Sequence, residues 1–159
     1  MDKRVLIEKI VAELRSELEL LAKAAQAAHL EATHESSKAE NKYDTRGLEA
    51  SYLAAGQSRQ ANEAALAIDE LRKLSLRPFT AEDEIDVGAI IETANKREKN
   101  FYFILPRAGG TEVNFDSCEI LVITPQSPLG QQLVGRKQGE KLKVVVAGTA
   151  TELRIVSVT

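Results

Sequence analysis

The chain has 159 residues, enough for one domain or two small ones; 43% are hydrophobic, only 4% are aromatic, and none is Trp. A net charge of −3 on 28% charged residues leaves no basic excess to neutralise a phosphate backbone, which argues against autonomous nucleic-acid binding. Cys118 is the only cysteine, so a disulfide framework and a cysteine-based zinc site are excluded and a reducing, cytoplasmic compartment is expected. No window approaches ~18 consecutive apolar residues. Met1-Asp2-Lys3-Arg4 leads into an amphipathic pattern, not a signal peptide.

Residues 4 to about 32 have helix-forming composition without Gly or Pro. Leu14, Leu18, Leu21, Ala25 and Ala28 alternate at spacings of four and three, and Ile7 and Val11 extend the stripe upstream. A second helix is expected from about Leu48 to Leu74, with Ala50, Leu53 or Ala54, Gln57, Ala61, Ala64, Ile68 and Leu71 at the same spacing. Two seams of similar length with a short connection predict an antiparallel coiled-coil hairpin over residues 1–76. Its alanine-rich seam buries little apolar area, so modest stability is expected.

The hairpin connection holds three carboxylates, Glu35, Glu40 and Asp44, among Lys38, Lys42 and Arg46. These are either ordinary solvated charges at a turn or oxygen ligands that complete a Mg²⁺ site supplied by another protein. His29 and His34 are five apart, not four, and read as surface histidines.

Arg77-Pro78 breaks the helix, and beyond the acidic Glu82-Asp83-Glu84 the period changes. Strands are expected over Val87–Thr93, Asn100–Leu105, Cys118–Thr124, Leu142–Val146 and Glu152–Val158, separated by turns at Asn95-Lys96, Ala108-Gly109-Gly110, Pro125, Gly139 and Gly148. Between the third and fourth, Ser127 suits a helix N-cap, Pro128 the first helical position and Gly135 a stop. The fold class is therefore α+β, with a small bent sheet and one short helix over residues 77–159. Cys118 reads as a structural thiol, and neither a phosphate-binding glycine loop nor a nucleophile elbow is present.

Ile123-Thr124-Pro125-Gln126-Ser127-Pro128-Leu129-Gly130, followed by Leu133, Gly135, Gly139 and Glu140, resembles the Ser-Pro-hydrophobic segment and the Gly-x-x-x-Gly-acid of the bacterial Gre transcription elongation factors. Val87-Gly88 and Glu40-Asn41, with Tyr43 nearby, extend the resemblance over nearly the whole chain. It implies an FKBP-like C-terminal domain that docks on RNA polymerase through Ser127, Pro128, Leu129 and Gly130, and a coiled coil that enters the polymerase's secondary channel. It further implies a monomer that meets nucleic acid only through the transcription complex. The factor is then no enzyme itself; at most its tip acids Glu35, Glu40 and Asp44 assist a Mg²⁺ of the polymerase in cleaving backtracked RNA, and it has no cofactor of its own. The tip departs from the family pattern: Ser37 stands where the family has an Asp, and Tyr43 is one position early. A cleavage-deficient occupant of the channel is the alternative. Other classes are an FKBP-like isomerase or chaperone, using Phe79, Phe101, Tyr102, Phe103 and Phe115, and a dimerising coiled-coil adaptor.

Overall fold

The computed structural model describes residues 2–33, 46–95, 98–146 and 149–159. Helix α1 runs Lys3–Thr33 and α2 Arg46–Lys73. Strands β1 (Ile90–Ala94), β2 (Lys99–Ile104), β3 (Glu112–Phe115) and β4 (Cys118–Ile123) follow, then the short helix α3 (Gly130–Leu133), β5 (Lys141–Val146) and β6 (Thr149–Val158). The chain divides into two compact units. One comprises residues 1–11 and 70–159, the other 12–69.

The helical unit is built on one line of shelter. Between Ala12 and Thr33, among the residues whose burial is described, the buried or half-buried positions are Leu14, Leu18, Leu21, Ala25 and Ala28, the seam expected from the heptad spacing. On α2 the corresponding line is Ala54, Gln57, Ala61, Ala64 and Ile68, with Ala67 and Gly56 beside it. The ambiguity between Leu53 and Ala54 resolves to alanine: Leu53 is 56% exposed and Ala54 9%. The alanine lies on the sheltered line and the leucine remains on the outside. Leu20, Leu30, Leu48 and Tyr52 also stay exposed, so packing is confined to a narrow face.

In the other unit a six-stranded mixed sheet has the order β3-β4-β2-β1-β6-β5. The β2–β4 pair is parallel and the rest are antiparallel. Alternation along the strands gives two apolar faces. On one, Ile91, Ile104, Ile123, Val144, Leu153 and Ile155 pack with Phe79 and Ile85 from the linker and with Leu133 from α3. On the other, Ile90, Phe103, Ile120 and Val122 are fully covered or nearly so. The first turns of α1 close over this second face: Leu6 and Ile10 are fully buried, while Lys9 donates from Nζ to the Asn114 carbonyl at 3.1 Å and lies over the Phe115 ring. That ammonium also occupies a carbonyl of the edge strand β3.

Three strands differ from the sequence reading: β3, β1 and β6, which begins at Thr149 and not Glu152. β3 was not anticipated. Val113 and Phe115 alternate inward against β4, and the hairpin turns through Asp116 and Ser117, both at positive φ. β1 starts at Ile90 and not Val87, because Asp86 ties up the preceding segment: its Oδ1 accepts from the Val87 N–H and its carbonyl from the Ala89 N–H.

Helix α2 carries a local weakness. An added Cβ at Gly56 meets nothing within 4 Å, and the buried Gln57 Oε1 has no hydrogen-bond partner among the described residues. Helical glycine costs about 1 kcal/mol relative to alanine, and a buried unpaired carbonyl costs roughly 1–3 kcal/mol. Gly56→Ala and Gln57→Leu should each raise the melting temperature followed by circular dichroism at 222 nm. A lower melting point for either would show that the residue makes a contact assigned to neither here.

Candidate functional site

The segment from Thr124 to Glu140 joins β4 to β5 and contains the motif that the sequence singled out. Its first turn is organised by Ser127. The Ser127 hydroxyl donates to the Thr124 carbonyl at 2.8 Å and accepts from the Gly130 N–H at 3.0 Å, while the Ser127 carbonyl accepts from the Gln131 N–H at 2.9 Å. Ser127 thus has the capping bond of an N-cap although regular α3 starts three residues later, and Pro128 sits where a missing N–H costs nothing. Gln132 donates to the Pro128 carbonyl at 2.7 Å and Gln131 to the Gln126 carbonyl at 3.0 Å, which satisfies two further backbone acceptors.

Gly130 is fixed by proximity. A Cβ there would stand 1.9 Å from the Thr124 carbonyl oxygen and 2.9 Å from Ser127 Oγ. No L side chain fits against a backbone atom at that distance. The four expected docking residues therefore divide. Gly130 is buried and Ser127 half-buried, each with a structural duty. Leu129 is half-buried against the sheet core, and only Pro128 is exposed.

The other half of the motif closes a second loop. Gly135, at φ +81°, ends the helical turn, and its N–H donates to the Ile85 carbonyl while Ile85 donates to Arg136. The Glu140 carboxylate accepts from the Lys137 N–H at 2.8 Å and from the Arg136 guanidinium at 3.0 Å. The Arg136 side chain, followed by the Lys137 amide, holds this exposed carboxyl below the usual carboxylate range. Asp83 plays the same part in the linker: Thr80 donates to it from both its hydroxyl and its N–H, and Arg77 pairs with it at 3.2 Å. Those bonds also lower its pKa. Gly135 and Glu140 thus act as loop closures, and the Ile85–Arg136 pairing ties the acidic linker to the motif.

Residues 80–159, half of the chain, match the family described as "Transcription elongation factor, GreA/GreB, C-term". The chain belongs to the GreA/GreB transcription elongation factor family. As a Gre factor it is a transcription elongation protein whose partner is RNA polymerase. Among solved structures, the GreA factor homolog 1 (Gfh1) of Thermus thermophilus is 19% identical, with 96% of this chain and 94% of that one covered and a TM-score of 0.39. Thermus aquaticus Gfh1 is 23% identical over 95% and 92%, with a TM-score of 0.41. A GreA/GreB factor from Nitrosomonas europaea is 17% identical over 60% and 78%, with a TM-score of 0.37. No curated protein matches the chain.

In this Gre factor the expected tip acids Glu35, Glu40 and Asp44 lie outside the described residues. Among the described residues, no cluster of three His, Cys, Asp or Glu is placed to hold a metal ion, and no helix is long and apolar enough to cross a membrane. Sequence reasoning found the Ser127 cap but missed why Gly130 must be glycine, since the clash partner is a backbone oxygen six residues earlier.

The duties of Ser127 and Gly130 differ in size. Ser127→Ala should cost about 1 kcal/mol by loss of the cap. Gly130→Ala should cost roughly 3 kcal/mol, because backbone must move to admit the methyl group. Urea denaturation of both variants checks this order. Equal and small effects would contradict the close approach.

Proposed function

We propose that this Gre factor binds RNA polymerase through its C-terminal unit and inserts the α1–α2 hairpin into the secondary channel, the pore that leads to the polymerase active site. The observation that carries this reading is the family match over 80–159 together with a helical unit sheltered along one seam only. Within the helical unit α1 contributes residues 12–33, about 33 Å of helix. Two helices paired along their sheltered lines of small side chains would form a rod slim enough for a pore. The docking residues in this reading are the exposed Pro128 and the half-buried Leu129 beside it, set by Ser127 and Gly130 beneath. The protein is read as a cytoplasmic bacterial monomer that touches nucleic acid only within the transcription complex, and its β unit as an FKBP-like domain used for docking.

The finer question is cleavage of backtracked RNA. The chain is not an enzyme in its own right on this reading; the reacting centre and its Mg²⁺ belong to the polymerase. The factor's contribution would be carboxylate oxygens, from Glu40 and Asp44 with Glu35 in reserve, that orient a water or share the metal. Ser37 in place of an acid speaks for the cleavage-deficient form, since a displaced carboxylate on a helix points ~100° away per residue. Misplacement of a catalytic group by 1 Å can cost about a hundredfold.

The isomerase reading gains nothing from the fold. Phe79, Phe103 and Phe115 are buried in the packing of the sheet and linker. The concavity over β2 and β4 presents Phe101 and Tyr102 among Lys99, Glu112 and Glu119, a polar setting for a proline pocket.

Retention of the full chain on immobilised core RNA polymerase is the expected result, and its absence counts against the reading. On a stalled, backtracked complex, the native chain should stimulate cleavage weakly, and Ser37→Asp should raise stimulation by up to about a hundredfold. Strong native stimulation that survives Glu40→Ala and Asp44→Ala would contradict the assigned acids.

A further inference from the structure

A second feature of the β unit needs no polymerase. At the start of α1 and the end of the linker, two cations converge on one aromatic ring. Lys3 Nζ lies 4.6 Å from the Phe79 ring centroid and the Arg77 guanidinium carbon 3.8 Å from it. These residues line a cleft of about 370 Å³ with Asp2, Arg4 and Thr159.

Among the described residues, Lys3 is the cation of this cleft that no carboxylate balances, whereas Arg77 is paired with Asp83. Asp2 Oδ1 is engaged by the backbone N–H groups of Arg4 and Val5, at 2.8 and 3.3 Å, as the N-cap of α1. Asp83 takes Arg77 Nη1 at 3.2 Å and is otherwise committed to Thr80. Lys3 Nζ finds a neutral partner, the Arg77 carbonyl oxygen, at 2.7 Å. A half-buried ammonium beside a guanidinium, with no carboxylate on it, raises the free energy of the charged form. Burial first, and the Arg77 charge second, pull the Lys3 pKa down to about 8.

We propose that this cleft binds a phosphate-class oxyanion, held by the Lys3 ammonium and the Arg77 guanidinium with Arg4 at the rim. The Lys3 ammonium and the Arg77 guanidinium, brought together from two segments, suit a tetrahedral anion, which offers more acceptor oxygens than a carboxylate. The cleft is larger than a phosphate group, and Leu76 and Pro78 provide an apolar wall for an organic remainder. The bound anion neutralises the Lys3–Arg77 repulsion, so binding and protonation of Lys3 support each other.

The probe is sodium pyrophosphate, titrated at pH 7 into the isotope-labelled full chain with NMR detection, against a sodium chloride control of equal ionic strength. Lys3 side-chain signals should shift and saturate. Lys3→Gln should weaken binding at least tenfold, Arg4→Gln should weaken it less, and Lys3→Arg should retain it. Circular dichroism confirms that the variants fold. With sulfate, which does not titrate in this range, affinity should fall about tenfold between pH 7 and pH 9 as Lys3 loses its proton. Burial and the Arg77 charge set this midpoint; Asp2, Arg4 and Asp83 are the other charged groups around the cleft. A nucleoside diphosphate that binds more tightly than pyrophosphate assigns the apolar wall to an organic phosphate; equal binding assigns the site to the inorganic ion. A Lys3 response no larger than the chloride control, or Lys3→Gln binding like the native chain, overturns the proposal.

Discussion

Along α1 and α2 of the helical unit, the sheltered side chains are mostly alanines: Ala25 and Ala28 on one helix, Ala54, Ala61, Ala64 and Ala67 on the other, with Leu14, Leu18, Leu21 and Ile68 filling the line. Small side chains permit close backbone approach, but they bury little apolar surface, and hydrophobic stabilisation follows area. The helical unit is therefore slim at a cost in stability, and leucines that could have widened the contact, such as Leu53, are left outside. Thermodynamics alone would favour the larger side chain at the contact. A slender pair of helices is what entry into a narrow pore requires, and this links the seam to the proposed function.

The β unit is held by different means. Both faces of its sheet are covered, and the connections of the proposed docking segment are closed by specific bonds: the Ser127 cap, the Gly130–Thr124 approach, the Ile85–Arg136 pairing and the Glu140 loop closure. The motif that carries the family resemblance is thus largely a set of structural duties. It fixes a short turn so that Pro128 is presented outward. In the proposed docking role, specificity would belong to a few exposed atoms, while most motif residues keep those atoms in place.

Much of this was legible in the sequence. The seam of α1 follows directly from the spacing of Leu14, Leu18, Leu21, Ala25 and Ala28, because heptad periodicity survives into packing unchanged. The choice between Leu53 and Ala54 was not legible, since both fall within one stripe and only the partner helix decides. β3 was hidden because four residues with two inward side chains carry little pattern; its signal was the Asp116-Ser117 turn between two alternating segments. The Lys3–Arg77–Phe79 cluster joins residues more than seventy positions apart, and no local pattern announces such a meeting.

The central claim, that the hairpin end reaches the polymerase active site, is tested most directly by tethered cleavage. Cys118→Ser removes the native thiol, and Leu48→Cys, at an exposed position near the start of α2, carries an iron chelate that generates hydroxyl radicals. In complex with core RNA polymerase, the account predicts cuts in polymerase segments around the active-site metal. Cuts confined to the outer surface, with none near that centre, would contradict it.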